Sequence, residues 1–361
     1  LGVSSKRTQM SFSLSDRESG LEYAGTSFNT LFAQRRNLLS ASFLGMLRDI
    51  VRFNRQSVID LETGLIASDQ TLGEYLREKG YGRAFIDDYL VPMGAAIWSA
   101  DVASMLEFPL QFFVRFFRNH GLLDLKDRPH WRVIEGGSRE YLRPLVDSFA
   151  DNIRTSVEID NVRRLEQGAR IHYRDGKDEY FDAVVFACHS DEALALLSDP
   201  SPQERDILGA IPYQDNEVIL HTDTRLLPAN RRTWSSWNYL KKPGSDRATL
   251  TYNMNILQGF NAPETFCVTL NDRDAINPHK ILGEFNYAHP VFTLPGIAAQ
   301  ERWEEINGGS TWFCGAYWRN GFHEDGVYSA RRVARSVSAS ASASAKAGAS
   351  AVNFSSASSA A

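Results

Sequence analysis

Residues 311–330 constrain the fold more than any other part of this chain. They begin with the short aromatic strand-like segment TWFCG, continue as an irregular loop, and end in a helix that opens at Asp325 and Gly326. An acidic residue at a helix start satisfies backbone donors, and the remaining N–H groups and the positive end of the helix dipole favour an electron-rich ligand. The segment therefore predicts a cofactor held against this helix.

Further segments accompany this motif in the order found in a known family. They are 31–37 (LFAQRRN), 89–99 (YLVPMGAAIWS), 119–123 (NHGLL) and 131–141 (WRVIEGGSREY). Together with 311–330 they resemble the flavin-containing amine oxidase superfamily, most closely a bacterial-type branch of NAD/FAD-dependent amine-oxidase-like oxidoreductases. Members of that branch sit beside, or in plants are fused ahead of, cyclopropane-fatty-acyl-phospholipid synthase. The resemblance runs from about residue 10 to about residue 335.

The resemblance implies a two-domain flavoprotein that combines α/β and α+β architecture and binds FAD. A Rossmann-type FAD/NAD(P)-binding domain, incomplete at its N-terminus, would comprise residues 129–205 and 305–335. A sheet-and-helix substrate domain would comprise the helical residues 10–128 and the β-rich residues 206–304. Residues 336–361 are dominated by Ser and Ala, and we expect a disordered tail or a sequence artefact there.

The dinucleotide motif of this family is missing from the sequence. That motif is a strand followed by G-x-G-x-x-G and a helix, and the nearest pattern is Gly80-Tyr81-Gly82, which lacks the third glycine and follows a helical segment. We interpret Gly80 as the C-cap of that helix. Residue 1 is Leu, at a point where family members are already past their first βαβ unit, so we expect an N-terminally incomplete chain.

The composition argues against several classes of function. The chain has 361 residues, of which 43% are hydrophobic and 23% charged, as expected for a globular protein of about two domains. A net charge of -5 gives no support for nucleic-acid binding. The spacing of Cys188, Cys267 and Cys314 indicates neither a zinc site nor a disulfide framework, which suits a reducing cytoplasm. Apolar runs are too short to predict a membrane span, and no residue cluster predicts a metal site.

Hydrophobic periodicity predicts the elements between these motifs. Residues 10–28 suggest a hairpin, and 40–59, 71–79, 83–90 and 109–119 suggest helices. Short β-rich stretches recur from 217 to 255. The apolar run 181–187 predicts a strand that is buried on both faces and leads into a helix near Ser190. Ligands bind at the carboxyl ends of such strands, where Ala187, Cys188 and His189 would lie.

Two segments outside the C-terminal motif are candidates for contact with FAD. Gly136 and Gly137, followed by Ser138, would let the backbone approach the flavin closely, although the pattern alone also fits a tight turn. Val162 matches the position at which superfamily members hold the adenine through the backbone. A surface strand residue is the alternative for Val162.

The strongest candidates for FAD binding lie in the C-terminal motif. The superfamily commonly has an acidic residue after the motif glycine, but Ala316 stands there in this chain, so the backbone is left to make the contact. Asp325 would cap the helix whether or not it also lies against the flavin. The complete candidate set is Gly136, Gly137, Ser138, Val162, Ala187, Gly315, Ala316, Glu324, Asp325 and Gly326.

The candidates for the substrate face come from aromatic and amide side chains. Residues 252–258 (YNMNILQ) alternate between polar and apolar like a strand that presents amides to one side. The Phe-rich stretch 106–118 is interpreted as buried helix packing, with an apolar substrate channel or a membrane-surface contact as alternatives. The substrate candidates are Trp98, Trp237, Tyr252, Asn253, Asn255 and Gln258.

The resemblance predicts FAD-dependent oxidation of an amine or an acyl-chain lipid by hydride transfer. The sequence has no G-x-S-x-G, H-E-x-x-H or P-loop motif. No catalytic residue is predicted, because the flavin itself performs the difficult step. The alternatives are a flavin-dependent isomerase and a non-catalytic subunit that binds a lipid-modifying partner, for which the cyclopropane-fatty-acyl-phospholipid synthase is the candidate.

Overall fold

The computed structural model describes residues 1–124, 129–243 and 249–339. Contacts divide the chain into two compact units. Unit 1 comprises Leu1–Ile153 and Gln214–Val291, and unit 2 comprises Arg154–Tyr213 and Phe292–Ala361. Residues 129–153 thus fall in unit 1, because residues 132–134 pair with residues 5–7. The expected domain boundaries place residues 129–153 with the cofactor domain instead. The functional assignment of each unit stays a prediction.

The strands form four sheets. Unit 1 has a seven-stranded sheet of order β13-β9-β12-β11-β10-β2-β3 and the antiparallel pair β1-β4, and unit 2 has the antiparallel sheet β5-β6-β7 and the parallel pair β14-β8. The strands are β1 Ser5–Arg7, β2 Phe12–Asp16, β3 Glu22–Ala24, β4 Arg132–Ile134, β5 Ile159–Arg164, β6 Ala169–Tyr173, β7 Asp178–Phe181, β8 Val184–Phe186, β9 Tyr213–His221, β10 Trp237–Lys241, β11 Thr249–Asn253, β12 Cys267–Leu270, β13 Ile281–Pro290 and β14 Thr311–Phe313.

The helices cluster between β3 and β4 and follow strands in unit 2. They are α1 Phe28–Leu31, α2 Ala41–Glu62, α3 Leu72–Glu78, α4 Arg83–Phe85, α5 Val91–Trp98, α6 Val102–Leu106, α7 Leu110–Asn119, α8 Leu142–Val146, α9 Ser190–Leu196, α10 Pro202–Gly209, α11 Met254–Leu257, α12 Leu294–Glu301 and α13 at 323–339. A π-helix lies at Ile86–Leu90, and 3₁₀ turns lie at Arg35–Leu39, Ser138–Tyr141, Asp147–Asn152, Thr224–Leu226, Arg231–Thr233, Arg273–Ala275, Pro278–Lys280, Trp303–Glu305 and Ala316–Trp318.

The predicted hairpin and helices of unit 1 are confirmed. Strands β2 and β3 pair antiparallel across the turn at residues 17–20. Helix α2 starts after Ser40, whose hydroxyl accepts from the N–H of Phe43, and it buries an apolar face that includes Met46 and Phe53. Gly80 adopts φ +64° just after α3, which confirms it as a helix C-cap. No helix in the described residues has the length and apolar character needed to cross a membrane.

The Phe-rich stretch is core packing, as interpreted from the sequence. Phe113 and Phe117 of α7 are fully buried and stack with their ring centroids 4.1 Å apart. Trp98 lies against them and against Phe108, 4.4 Å away between centroids. These rings fix the position of α7 in unit 1. The alternative of a substrate channel stays a prediction.

A continuous row of buried polar side chains crosses the large sheet. Ser13 of β2 donates to the Asn238 Oδ1 at 2.8 Å, and the Asn238 Nδ2 donates to the Thr251 carbonyl at 3.0 Å. The Thr251 and Thr269 hydroxyls are 2.8 Å apart, and the His221 Nε2 lies 2.7 Å from the Thr269 hydroxyl. We call these five side chains the polar ladder. Each lies in the interior, and each has a hydrogen-bond partner.

The strand expected at 181–187 is wrong in both its length and its burial. Phe181 ends β7, whereas the next strand, β8, covers only Val184–Phe186. Phe181 pairs with Ala169 in the antiparallel sheet, while β8 pairs in parallel with β14. Val185 is 45% exposed, because within the described residues β8 has a neighbouring strand on one side only.

Two other element predictions need correction. The expected strand at 252–258 stops at Asn253, whose side chain accepts from the N–H of Ile256 and caps α11. Residues 336–339 belong to α13 rather than to a disordered tail. The remaining tail residues, 340–361, lie outside the part of the chain that the structure describes.

Candidate functional site

The carboxyl ends of β8 and β14 lie side by side in unit 2. The two strands are parallel, with Phe186 opposite Phe313, and the N–H of Cys314 donates to the carbonyl of Phe186 at 2.9 Å. Their rings stack with centroids 5.2 Å apart. Ala187 and Cys188 continue from β8 at this edge, as predicted. Open α/β sheets bind ligands at this end of their strands.

Helix α13 is tied to the end of β14. The N–H of Gly315 donates to the Ser329 hydroxyl at 3.1 Å, and a Cβ on Gly326 would lie 4.0 Å from the backbone nitrogen of Ala316. A Cβ on Gly315 would lie 2.3 Å from the Tyr317 ring, so only glycine fits there. The structure thus brings together Gly315, Ala316 and Gly326, as the C-terminal motif predicts.

The first turn of α13 corrects the predicted helix start. The helix begins at residue 323, so Asp325 is already inside it. Its carboxylate turns back and accepts from the N–H of Phe322 at 3.0 Å, and Arg319 lies 3.6 Å from its other oxygen. Asp325 is therefore a buried capping residue, whereas the side chain of Glu324 is exposed.

Tyr213 fixes the start of the helix that follows β8. The N–H of Ser190 donates to the Tyr213 hydroxyl at 3.0 Å, and the ring of His189 stacks on the Tyr213 ring with centroids 4.5 Å apart. Burial raises the pKa of Tyr213 to about 12. The Ser190 hydroxyl is itself buried and has no hydrogen-bond partner in the described residues.

The turn after Gly315 carries two buried aromatic residues. Tyr317 and Trp318 are 4% and 6% exposed, with ring centroids 5.1 Å apart. The Nε2 group of Gln300 donates to the carbonyls of Tyr317 and Arg319 at 2.7 and 2.8 Å, which holds the turn in place. Burial raises the pKa of the Tyr317 hydroxyl, and a hydrogen bond with the neighbouring Trp318 side chain partly offsets that rise.

These residues together form what we call the strand-end site. Burial, followed by the charge of Glu192, raises the pKa of Cys188 to about 11, so its thiol stays protonated near neutral pH and is a poor nucleophile. The described residues contain no group of three or more His, Cys, Asp or Glu side chains placed to hold a metal ion. The strand-end site consists of Ala187, Cys188, Ser190, Tyr213, Cys314, Gly315, Ala316, Tyr317, Trp318 and Gly326.

Other predicted cofactor contacts belong to unit 1 or already form a hydrogen bond within the protein. Gly136 and Gly137 adopt φ +83° and +92° in a tight turn of unit 1, with Ser138 opening the next 3₁₀ turn. Val162 is buried in β5 of unit 2, and its carbonyl accepts from the N–H of Ser198 at 3.0 Å. An adenine held by the Val162 carbonyl would have to share it with the N–H of Ser198.

Three of the substrate candidates are aromatic residues of unit 1. Trp237 of β10 and Tyr252 of β11 are cross-strand partners whose rings meet edge to face, with centroids 5.7 Å apart. Trp98 lies in the separate Phe-rich core. The indole nitrogens of Trp98 and Trp237 are both buried and lack a hydrogen-bond partner within the described residues.

The amide candidates have structural partners. Asn253 caps α11, and Asn255 accepts from the N–H of Phe266 at 2.8 Å while donating to the Glu264 carbonyl at 2.9 Å. Gln258 ends the same short helix and is half-buried. The structure therefore gives Asn253 and Asn255 a role in shaping the loop after β11.

The sequence did not single out several residues of the strand-end site. Tyr317 and Trp318 lie inside the recognised C-terminal motif. Their phenol and indole side chains were the sequence feature that could have identified them as site residues. Ser190 was recognised as a helix start, but Tyr213 and Gln300 carry no local pattern, because their roles depend on contacts between segments that are distant in the sequence.

A known family profile covers most of the chain. The profile of the family described as flavin containing amine oxidoreductase matches residues 2–263. No curated protein sequence matches the chain.

Solved structures share the fold at low sequence identity. Cyclohexylamine oxidase from Brevibacterium oxydans is 12% identical, with a TM-score of 0.59 over 94% of this chain and 83% of that one. Putrescine oxidase bound to putrescine is 12% identical, with a TM-score of 0.60 over 94% and 83%. A fatty acid isomerase from P. acnes that produces CLA is 14% identical, with a TM-score of 0.60 over 91% and 80%.

Proposed function

Because the chain belongs to the flavin containing amine oxidoreductase family, we propose that it oxidises an amine or an acyl-chain lipid by hydride transfer to FAD. Family membership makes the protein an oxidoreductase with FAD as its cofactor. The observation that carries the proposal is the convergence of Gly315, Ala316 and Gly326 where β8 and β14 end. Ligands of α/β sheets bind at such strand ends.

The strand-end site fits a planar cofactor that contains hydrogen-bond acceptors. Space is open beside Gly326, where a flat ring could approach the backbone. Because the sequence contains no G-x-G-x-x-G loop, the proposal assigns no residue to the cofactor diphosphate.

The protein would position the cofactor and shield it from water. Bound FAD supplies the hydride acceptor. Ala316 would hold it through its backbone, since the N–H groups of Gly315 and Gly326 already donate to Ser329 and Phe322. The N-terminus of α13 would favour negative charge nearby. The buried ring of Phe313 beneath the site excludes solvent from that side.

The substrate class follows from the fold neighbours and from the aromatic candidates. Two neighbours are oxidases named for amines and a third is a fatty acid isomerase, so this fold accommodates both amines and acyl chains. Trp237 and Tyr252 give an aromatic surface that would suit the apolar part of either substrate. The isomerase is also the reason to retain isomerisation without net redox change as the second candidate function.

Anaerobic titration of the FAD-loaded protein with amines and with fatty acids of graded chain length tests the proposal. An oxidase substrate should bleach the flavin absorbance, whereas an isomerase substrate should be converted without bleaching. FAD binding without bleaching or conversion by any amine or fatty acid would contradict the proposal. Failure to bind FAD would instead favour the non-catalytic subunit.

A matched pair of glycine substitutions tests the cofactor position. Gly326→Val places a branched side chain in the open space beside Ala316 and should reduce FAD retention at least tenfold. The control is Gly45→Val in α2, where a Cβ meets nothing within 4 Å. FAD stoichiometry per protein, measured by absorbance after gel filtration, should fall only in the first variant. Equal stoichiometry in both would place the cofactor elsewhere.

A further inference from the structure

Helix α2 presents a row of apolar residues to solvent. Leu44, Val51 and Ile59 are each between 44% and 49% exposed. They are seven and eight residues apart, which is about two helical turns, so they lie along one face of the helix. Leu39 and Leu65, just outside the two ends of α2, are 91% and 69% exposed. Exposed apolar residues in a continuous row mark a surface that binds another molecule or a membrane.

Arginines occupy positions between these apolar residues. Arg48 follows Leu44 by four residues, and Arg55 follows Val51 by the same interval, so both arginines share the apolar face. Both are exposed. We call Leu44, Arg48, Val51, Arg55 and Ile59 the α2 stripe. From its first to its last residue it is about 22 Å long.

The acidic residues of this segment do not belong to the α2 stripe. Residues 35–61 contain two, Asp49 and Asp60, and both are buried. The Asp49 carboxylate accepts from a backbone N–H and the Asp60 carboxylate from a tyrosine hydroxyl, each at 2.9 Å. Glu62, at the end of the helix, pairs with Arg118 at 2.6 Å. The α2 stripe is therefore apolar and positively charged.

The opposite face of α2 anchors the helix in the core of unit 1. Phe53 is fully buried, and its ring centroid lies 5.6 Å from that of Phe85 and 6.2 Å from that of Phe113. Because this packing holds the helix in place, the α2 stripe is accessible without any rearrangement of the fold.

We propose that the α2 stripe binds the surface of an anionic lipid bilayer, with α2 lying in the plane of the membrane. The apolar side chains would enter the boundary between headgroups and acyl chains, while the guanidinium groups would remain at the lipid phosphates. This inference goes beyond the proposed function and does not depend on it.

The charge of the α2 stripe favours a membrane over other partners. A symmetric dimer would bring the same surface of two copies together, so the arginines of one stripe would face those of the other. The C-terminal residues 340–361 contain no acidic residue that could pair with these arginines. An anionic membrane matches both the charge and the apolar character of the stripe.

Co-sedimentation with lipid vesicles tests the proposal. The wild-type protein should bind vesicles made of equal parts of phosphatidylglycerol and phosphatidylcholine more tightly than vesicles of phosphatidylcholine alone. Higher salt should weaken this binding, because it screens the arginines from the lipid charges. Absence of binding to the anionic vesicles, or equal binding to both kinds of vesicle, would overturn the proposal.

The double variant Arg48→Gln/Arg55→Gln isolates the contribution of charge. Its partition coefficient onto the anionic vesicles should fall roughly 30-fold, about fivefold for each cation removed. Its melting temperature should stay close to that of wild type, since both side chains are exposed. The control is Arg77→Gln/Arg205→Gln, which removes the same charge from exposed positions beside exposed acidic residues of α3 and α10. An equal fall in the control would overturn the proposal.

The double variant Leu44→Gln/Val51→Gln tests the apolar contribution. It should weaken binding to the anionic vesicles about tenfold, because less apolar surface leaves water at the membrane. Unchanged binding would overturn the proposal. So would a wild-type protein that ignores vesicles but forms a dimer in sedimentation velocity, if this variant is a monomer, since the stripe would then join two copies. FAD binding is a separate measurement, so failure of the proposed function leaves these outcomes distinguishable.

Discussion

Two regions of this protein, the polar ladder of unit 1 and the strand-end site of unit 2, treat buried polar groups differently. In unit 1 the polar ladder links side chains on five strands, and every member has a hydrogen-bond partner. In the strand-end site the buried Ser190 hydroxyl lacks a hydrogen-bond partner in the described residues, and the Trp318 side chain is the hydrogen-bonding neighbour that lowers the pKa of the Tyr317 hydroxyl. A satisfied network stabilises the fold, whereas a buried hydroxyl without a partner contributes no such stabilisation.

The largest effect should come from breaking the polar ladder at its centre. Asn238 bonds to Ser13, Thr251 and both backbone groups of Ser235, so Asn238→Ala leaves several buried groups unpaired. We expect a loss of roughly 2–4 kcal/mol in the free energy of unfolding, measured with urea. The exposed Asn29→Ala should change it by less than about 0.5 kcal/mol. Similar values for the two variants would contradict a stabilising role for the ladder.

A smaller, pH-dependent effect should arise at the end of the ladder. The N–H of Asp223 donates to the His221 Nδ1, so the neutral His221 carries its proton on Nε2 and donates it to Thr269. Burial lowers the pKa of His221 from its usual 6.5, against the opposing charge of Asp223. Below pH 6.5 His221 therefore binds a proton in the unfolded chain that it does not bind in the folded chain.

The sign of this linkage sets the expected result. The contribution of His221 to stability is fully present above pH 6.5 and declines as the pH falls below it. Urea unfolding at several values between pH 7.5 and 5 should show a steeper loss for the wild type than for His221→Gln, in which the other titrating groups are retained. Parallel curves for the two proteins would show that His221 does not contribute to the pH dependence.

The smallest effect should come from the unpaired hydroxyl of Ser190. Ser190→Ala removes a buried group that makes no hydrogen bond and keeps the N–H that donates to Tyr213. We expect the free energy of unfolding to stay within about 0.5 kcal/mol of wild type or to rise by about 1 kcal/mol. A loss comparable to that of Asn238→Ala would mean that this hydroxyl belongs to a satisfied network, which would remove the contrast between the polar ladder and the strand-end site.

Elements with a strong local period were predictable from sequence. Helix α2 and helix α7 repeat apolar residues at helical spacing, so their existence follows from local chemistry. The run at 181–187 was predicted wrongly, because the burial of Val185 depends on which strands flank β8. The segment at 252–258 was wrong because the side chain of Asn253 caps a helix instead of continuing the strand.

The residues of the candidate site fall into the same two groups: some can be recognised from the sequence, and others only from contacts in the folded structure. The sequence by itself determined the family and the motif glycines Gly315 and Gly326, since both can be recognised from residues that are neighbours in the sequence. Only the tertiary structure decided that Tyr213 packs against the core that contains Tyr317, and that its hydroxyl accepts from the N–H of Ser190. The physical reason is that hydrogen-bond satisfaction belongs to a whole environment, assembled from segments that no local pattern connects.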